Sequence, residues 1–350
     1  ADAQQSQPHG AGRHPLAPDT APQGELTQPT GHCSYVRDSP LCAETGGPMA
    51  VEIPYVRDIK FDYGACDEVS PLIRRVVAEN PSAFTYMGTG TYIIGHGEVA
   101  VVDPGPMIGA HVEALLRALE GETVSHILIT HTHSDHSPAA KPLKALTGAQ
   151  TYAFGPHGAG QKHASDDVQV EEDGDMEFVP DVEVRHGDII EGDGWTVECV
   201  YTPGHTSNHM CFALQEEKAL FSGDHVMGWS TSVVSPPDGN MEQYMASLRL
   251  LLERDDEIYW PTHGPAIKDP KPFVRAFIAH REDRERQILA QLEAGRTRIQ
   301  DMVPIMYAAV DKRLYPAAAR SVFAHMEHLV ARGLVRVDGK PTLGAEYRRV

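Results

Sequence analysis

The stretch His131-Thr-His-Ser-Asp-His136 sets four metal-capable side chains within six positions. It follows directly on the run His126-Ile-Leu-Ile-Thr130, which is β-branched-rich, ends in a polar turn and reads as a short buried strand. A tight loop at a strand end can aim several side chains at one point, which a regular helix or strand of this length cannot. Imidazole and carboxylate are ligands that Zn²⁺ accepts, at roughly 2.0–2.2 Å each. Crowded so closely, these groups require a cation to hold them together. The alternative is a solvated loop that happens to be rich in histidine.

Three later positions decide between the two readings. His205 lies in Tyr201-Thr-Pro-Gly-His-Thr206, Asp224 follows Phe221-Ser-Gly, and His263 follows Ile258-Tyr-Trp-Pro-Thr. Each is an imidazole or carboxylate placed just past an apolar run, beside a Gly or Pro that lets the backbone turn. Together with the first motif they point to one metal site assembled from several strand ends.

From Met49 onward short β-rich runs alternate with helical stretches, the pattern of two sheets with helices outside. Expected strands are Ile73–Ala78, Thr91–Gly95, Val99–Asp103, Ile127–Thr130, Thr151–Phe154, Val182–Val184, Trp195–Tyr201, Met210–Leu214, Ala219–Ser222 and Ile258–Trp260. Expected helices are Met107–Leu119, Pro138–Thr147 and Met241–Arg254. The acidic stretch Gln161–Pro180 reads as a surface excursion. Character changes near Pro272: Phe273–Gly295, Ile299–Val310 and Pro316–Arg332 read as helices, and Leu334–Tyr347 as a hairpin turning at Asp338-Gly339. Three helices and a hairpin are the layout of a winged-helix module. The expected division is therefore 1–48 as a disordered, dispensable extension rich in Pro, Gly and Gln, 49–272 as the catalytic domain, and 273–350 as the winged-helix-like domain.

Charge separates these parts. The chain carries a formal net charge of −19, yet residues 273–350 hold 14 Lys and Arg against 9 Asp and Glu. No run of 18 apolar residues and no leader-like apolar segment is present, so membrane association is not expected. The five cysteines, Cys33, Cys42, Cys66, Cys199 and Cys211, lack regular spacing, which argues for a reducing, cytoplasmic compartment.

HxHxDH, TPGHT, SGD and THG in this order resemble the metallo-β-lactamase superfamily of dinuclear hydrolases, over about Ile73–Pro265. The resemblance implies an α+β fold, an αββα sandwich with metals at one edge. It implies one zinc on His131, His133 and His205, a second on Asp135, His136 and His263, and Asp224 bridging both; Fe or Mn suits the same ligand set. Asp103 resembles the family's buried Asp that braces the metal loop. A carboxylate at Asp224 separates the chain from true metallo-β-lactamases, so penicillin hydrolysis is a minor alternative. Asn80–Tyr92, Gly223–Thr231, Tyr244–Leu248 and the C-terminal module are similar to a subfamily that includes an endoribonuclease, though Gly90 replaces its usual Asn and His225 follows the bridging Asp.

Such a site would present a metal-bound hydroxide at neutral pH, with Asp135 orienting it. His209 would either donate a proton to the product or serve as a structural hydrogen-bonding group. His225 is expected to point away from the metals, and His157, His163, His186, His280, His325 and His328 to be surface or capping residues. Phe84 and Tyr86 in the loop Ser82–Gly88, with Trp229 and Ser230 after Asp224, are the expected substrate contacts; the alternative for Trp229 is a plug beneath the site. RNA and a small acyl or thioester substrate of the hydroxyacylglutathione type compete. RNA would use Arg281, Arg284, Arg286, Arg320, Arg348 and Arg349, although Arg281–Arg286 alternates with acidic residues like a solvated helix face. The module could also pack on its own domain or a twin subunit in a homo-oligomer. A metal-stabilised nucleic-acid-binding regulator is the non-enzymatic alternative.

Overall fold

Strand side chains in this chain alternate between two different cores, and that alternation dictates the layers. The computed structural model describes residues 51–161 and 174–350. Expectations for 1–48, for His163 and for most of the acidic stretch after Gln161 lie outside the described residues.

The first sheet has seven strands in sequence order: β1 (Cys66–Glu68), β2 (Ile73–Val77), β3 (Gly90–Ile94), β4 (Glu98–Val102), β5 (Thr123–Leu128), β6 (Gln150–Ala153) and β7 (Val182–Glu183). Its β1–β4 pairings are antiparallel and its β4–β7 pairings parallel. The second sheet comprises β8 (Ile189–Gly192), β9 (Trp195–Tyr201), β10 (Met210–Leu214), β11 (Ala219–Gly223), β12 (Ile258–Pro261) and β13 (Ile267–Lys268), in the order β13-β12-β11-β10-β9-β8. The short edge strands β1, β8 and β13 were not expected: two to four residues carry too little alternation to be read.

Tyr92, Ile94, Ala100 and Val102 face Val197, Cys199, Met210, Phe212 and Phe221 in the core between the sheets. Their neighbours Ile93, Val99, Val101 and Ile127 turn outward onto Ala114 and Leu115 of α1 (Gly109–Ala118) and Leu143 of α2 (Ala140–Thr147). On the far side, Val200, Cys211, Ala213 and Leu220 meet Tyr244, Leu248 and Leu251 of α3 (Met241–Glu253) and Phe273, Val274 and Phe277 of α4 (Pro270–Glu293). Four layers result, αββα. Asn240 caps α3, accepting from Gln243 N–H at 2.9 Å.

The second half of α4 enters another core. Ile288 and Leu292 pack with α5 (Ile299–Met306), α6 (Tyr315–Ala331) and the hairpin of β14 (Val335–Val337) and β15 (Tyr347–Arg349). The hairpin is not a tight turn at Asp338-Gly339; residues 338–346 form its loop. Tyr347 sets that register, its hydroxyl donating to Thr342 O at 2.7 Å and its N–H to Thr297 O at 2.8 Å. Helix α4 thus belongs to both cores, and the expected boundary at residue 272 falls inside its first turn.

Two parallel pairings set the functional edge. β4 runs with β5, and β11 with β12; β9, antiparallel to β10, runs with β11. The loops leaving β4, β5, β9, β11 and β12 therefore leave in register, and Asp103 on the first bonds both Thr130 on the second and Thr262 on the last. Among the described residues no helix is long and apolar enough to cross a membrane.

Candidate metal centre

The seven expected ligands converge at this edge. His131 Nε2 and His205 Nε2 lie 3.0 and 3.1 Å from His133 Nδ1. Four ligands at 2.0–2.1 Å around one zinc stand on the order of 3.3 Å apart in a tetrahedron, so this spacing is that of a ligand set. Asp135, His136 and His263 form a second group: His263 Nε2 is 3.0 Å and His136 Nε2 3.6 Å from the Asp135 carboxylate. Asp224 stands between them. Its Oδ2 is 3.7 Å from His205 Nε2, and its Oδ1 is 3.7 Å from His136 Nε2 and 3.5 Å from His263 Nε2.

The donor atoms fit cations better than hydrogen bonds. His136 Nε2, His263 Nε2 and Asp224 Oδ1 are buried and lack a hydrogen-bond partner. Three such orphans in one place cost several kcal/mol unless something else satisfies them, at about 1–3 kcal/mol each. Three triads, His131/His133/His205, His131/His136/Asp224 and Asp135/His136/His263, each bring ligand atoms within 4.8 Å of one another.

Electrostatics divides the site. Burial, reinforced by neighbouring imidazoles, drives His131 well below the ordinary histidine range and His133 down to about 3. Those rings are neutral and offer lone pairs. For His136 and His263, burial opposes charging but is outweighed by the carboxylates of Asp135 and Asp224, joined at His136 by Asp103, and both are raised. Burial likewise opposes ionisation of Asp135 and Asp224, yet His136 and His263 hold both below the usual carboxylate range. Protons on two imidazoles thus balance two buried carboxylates, the place a cation would take.

Asp103 is fully buried, at φ 46°, and fixes this geometry. Oδ1 accepts from Thr130 N–H at 2.8 Å; Oδ2 accepts from Thr130 Oγ1, Thr262 Oγ1 and His136 Nδ1 at 2.7, 3.0 and 2.8 Å. Because the carboxylate needs His136 Nδ1 as a donor, Nε2 is left as the ligand atom. His263 Nδ1 bonds Gly88 O at 3.1 Å and His205 Nδ1 bonds Val233 O at 2.5 Å, with the same consequence.

His209 is completely buried. Its Nε2 accepts from Asp224 N–H at 3.2 Å and its Nδ1 lies 2.9 Å from Thr202 Oγ1. Both nitrogens are engaged, Nε2 on the Asp224 backbone, which is the geometry of a structural hydrogen-bonding group. Gly223, at φ 51°, is what allows this approach, since a Cβ there would lie 2.6 Å from His209 Nε2. His225 stands outside the ligand triads, buried against Tyr244 with ring centroids 4.6 Å apart.

The expected substrate contacts separate. Phe84 is 49% exposed, whereas Tyr86, Trp229 and Ser230 are buried. Tyr86 stacks on Trp229 at 4.8 Å, and the Tyr86 hydroxyl donates to Arg57 O at 2.6 Å. Trp229 also packs on Gly264, where a Cβ would come within 2.8 Å of its ring. Tyr86 and Trp229 pack on one another and, like Ser230, are interior instead of solvent-facing. The open side is elsewhere: Ser134 is exposed, and His133 and Asp135 are partly so.

Other histidines depart from the surface expectation. His325 is buried and driven to about 4 by burial, His280 is lowered by burial and by Arg281, and His157 Nδ1 lies 2.9 Å from Thr132 Oγ1. His328 bonds Glu285 at 2.6 Å. Arg281 and Glu285 are buried where α4 lies between the two cores, so of the alternating charges of 281–286 only the other side of the helix, with Glu282 and Arg286 exposed, is the expected solvated face. Sequence reasoning also missed Val233, whose carbonyl orients His205, and Asn208, whose Nδ2 donates to Thr132 Oγ1 at 2.9 Å. Asn208 had a signal, lying between His205 and His209; Val233 had none.

Comparison with known proteins places this arrangement. The model of the Metallo-beta-lactamase superfamily matches residues 85–263, and that of the Beta-lactamase associated winged helix domain matches residues 299–344. A lactamase-like protein of Aspergillus niger is 32% identical over 72% of this chain and 77% of its own length. An atrochrysone carboxyl ACP thioesterase of Cryptosporiopsis sp. is 33% identical over 65% of each chain, and a beta-lactamase-like protein 2 homolog of Drosophila melanogaster 32% identical over 78% and 93%. In fold, a beta-lactamase domain protein from Burkholderia ambifaria aligns with a TM-score of 0.68 at 19% identity, covering 85% of this chain and 97% of its own.

Proposed function

From a chain that belongs to the metallo-beta-lactamase superfamily and is a hydrolase with a C-terminal winged-helix domain, we propose a dinuclear, zinc-dependent enzyme that hydrolyses thioesters of small acyl groups. The observation carrying this reading is Asp224, whose two carboxylate oxygens face two different groups of candidate ligand atoms, those of His136 and His263 without a hydrogen-bond partner. His131, His133 and His205 would hold one ion, Asp135, His136 and His263 the other, and Asp224 both. Bound there, the ions supply an acidified water and polarise the acyl carbonyl. Asp135, the most exposed of the charged ligands at 24%, lines the open side and orients the incoming water. Phe84 is the retained candidate for contact with the acyl group, while Tyr86 and Trp229 are interior.

The acyl substrate is favoured by relatives named as thioesterases. Two of the six proposed RNA contacts are drawn into the fold, Arg281 by burial and Arg284 by lying 4.7 Å over the Tyr307 ring, while Arg286, Arg320, Arg348 and Arg349 stay exposed. Cys66, Cys199 and Cys211 are unpaired, which supports a reducing compartment, the cytoplasm.

The test is thiol release from S-acyl pantetheine and S-acyl glutathione thioesters by zinc-loaded protein, beside a single-stranded RNA. Thioester turnover should be abolished by chelation and fall at least ~100-fold in Asp224→Ala, more than losing an outer partner of a ligand costs. RNA cleavage with inert thioesters would overturn the assignment.

A further inference from the structure

Arg281 is buried to 3% exposure on α4, and no carboxylate pairs with it among the described residues. A buried guanidinium without a counterion is costly, and it persists only where its donors are used. Its Nη2 donates to the carbonyl of Ser232, and its plane lies 5.2 Å over the Tyr244 ring. The next carbonyl along the chain, Val233 O, accepts from Nδ1 of the ligand candidate His205. Two further bonds brace the same loop: Ser232 Oγ and the Tyr244 hydroxyl both donate to His225 O, at 2.8 and 2.9 Å. The path is short: α4, the Ser232–Val233 peptide, the His205 ring, the centre. The Val233 carbonyl belongs to the following peptide, Val233–Val234, so a shift of the Ser232–Val233 peptide that Arg281 holds would carry its neighbour with it, move the Val233 carbonyl off Nδ1 and free His205 to rotate, or to place its proton on the ligand atom.

We propose that Arg281 is a positioning residue for the His131/His133/His205 site, through which the helix leading into the winged-helix domain sets metal affinity. The inference rests on the metal reading above. It differs from an ordinary packing role in what it moves. A residue that only packs changes the stability of the whole fold, whereas one that orients His205 changes the affinity of one ion per folded molecule.

The experiment is zinc competition against a chromophoric chelator, using the full chain of wild type, Arg281→Met and Arg281→Lys, with melting of the metal-free proteins alongside. Arg281→Met keeps the apolar stem and removes the donors; it should weaken one of two equivalents by roughly 10-fold, the low end for loss of an outer partner of a ligand. Arg281→Lys retains charge but not the planar fork, and should weaken the same equivalent severalfold. Should Arg281→Met fail to fold, Arg281→Lys decides alone. Wild-type affinity for both equivalents in a folded variant overturns the proposal, even with a lowered Tm. Wild-type protein that binds no metal would instead overturn the metal reading on which it stands.

Discussion

At the scale of single residues, the centre depends on which nitrogen of each histidine carries its proton. Asp103 decides this for His136, because its Oδ2 meets three donors at once: Thr130 Oγ1, Thr262 Oγ1 and His136 Nδ1. Replacing it with Asn sets an amide NH₂ against those donors, or against Thr130 N–H if the amide flips. The hydroxyls can rotate to accept, but His136 can accept only by moving its proton to Nε2, the atom the ion needs. Asp103→Asn is therefore expected to fold and to bind zinc about 10–100-fold more weakly, measured by chelator competition. Unchanged affinity would show that the tautomer is set by something other than this carboxylate.

At the scale of elements, the joint between α4 and α6 carries an acid-sensitive cluster. Glu285 on α4 bonds His328 at 2.6 Å and Arg332 at 2.7 Å, both from the end of α6. Burial would raise its carboxyl, but the nearby His325 and the hydrogen bond from His328 outweigh that and bring it down to about 2, from 4.5. A depressed carboxylate stabilises the native state above its unfolded pKa, and that contribution fades as pH falls from about 4.5 to about 2. His325 acts in the same direction. Held at about 4 by burial, it stays neutral while the unfolded chain takes up a proton below 6.5. Stability should thus decline from near pH 6.5 downward. Glu285→Gln should cost on the order of 2 kcal/mol at pH 7 after allowance for solvent at the cluster's rim, and should flatten the limb between pH 4.5 and 2. Urea unfolding of both proteins across pH checks the sign; an identical acid limb would remove Glu285 as its source.

At the scale of the whole molecule, α4 unites two cores that a sequence reading separates. Phe273, Val274 and Phe277 lie in the sandwich, while Ile288 and Leu292 lie in the C-terminal core. Each large side chain fully buried is worth about 1.5–3 kcal/mol, against at most ~1 kcal/mol for an exposed pair such as Arg249–Glu282. Packing, and not surface charge, therefore joins the parts. Ending the chain after Gly295 would expose Ile288 and Leu292 and leave Glu285 without His325, His328 and Arg332. Such a truncation is expected to lower Tm sharply and to aggregate; a monomeric fragment that melts like the full chain would show the two cores to be independent. The same joint turns Arg281 inward.

The candidate ligands and the layers were legible in the sequence. His131, His133, Asp135, His136, His205, Asp224 and His263 each follow an apolar run, and strand alternation such as Trp195, Val197 and Cys199 announces one buried face. Those signals are local: a period of two, a turn residue, a ligand-type side chain. Which groups hold His205, His263 and Arg281 was decided only by the fold, because those holding atoms are backbone carbonyls. Gly88 O on His263, Val233 O on His205 and Ser232 O on Arg281 are contributed by every residue type alike, so no letter marks them. The solvent-facing side was illegible for a related reason. Trp229 and Tyr86 have the composition of a recognition loop, and only their stacking on one another beneath Gly264 makes them interior. Burial is a property of what arrives from elsewhere in the chain, and for Arg281 that is a loop 49 positions away.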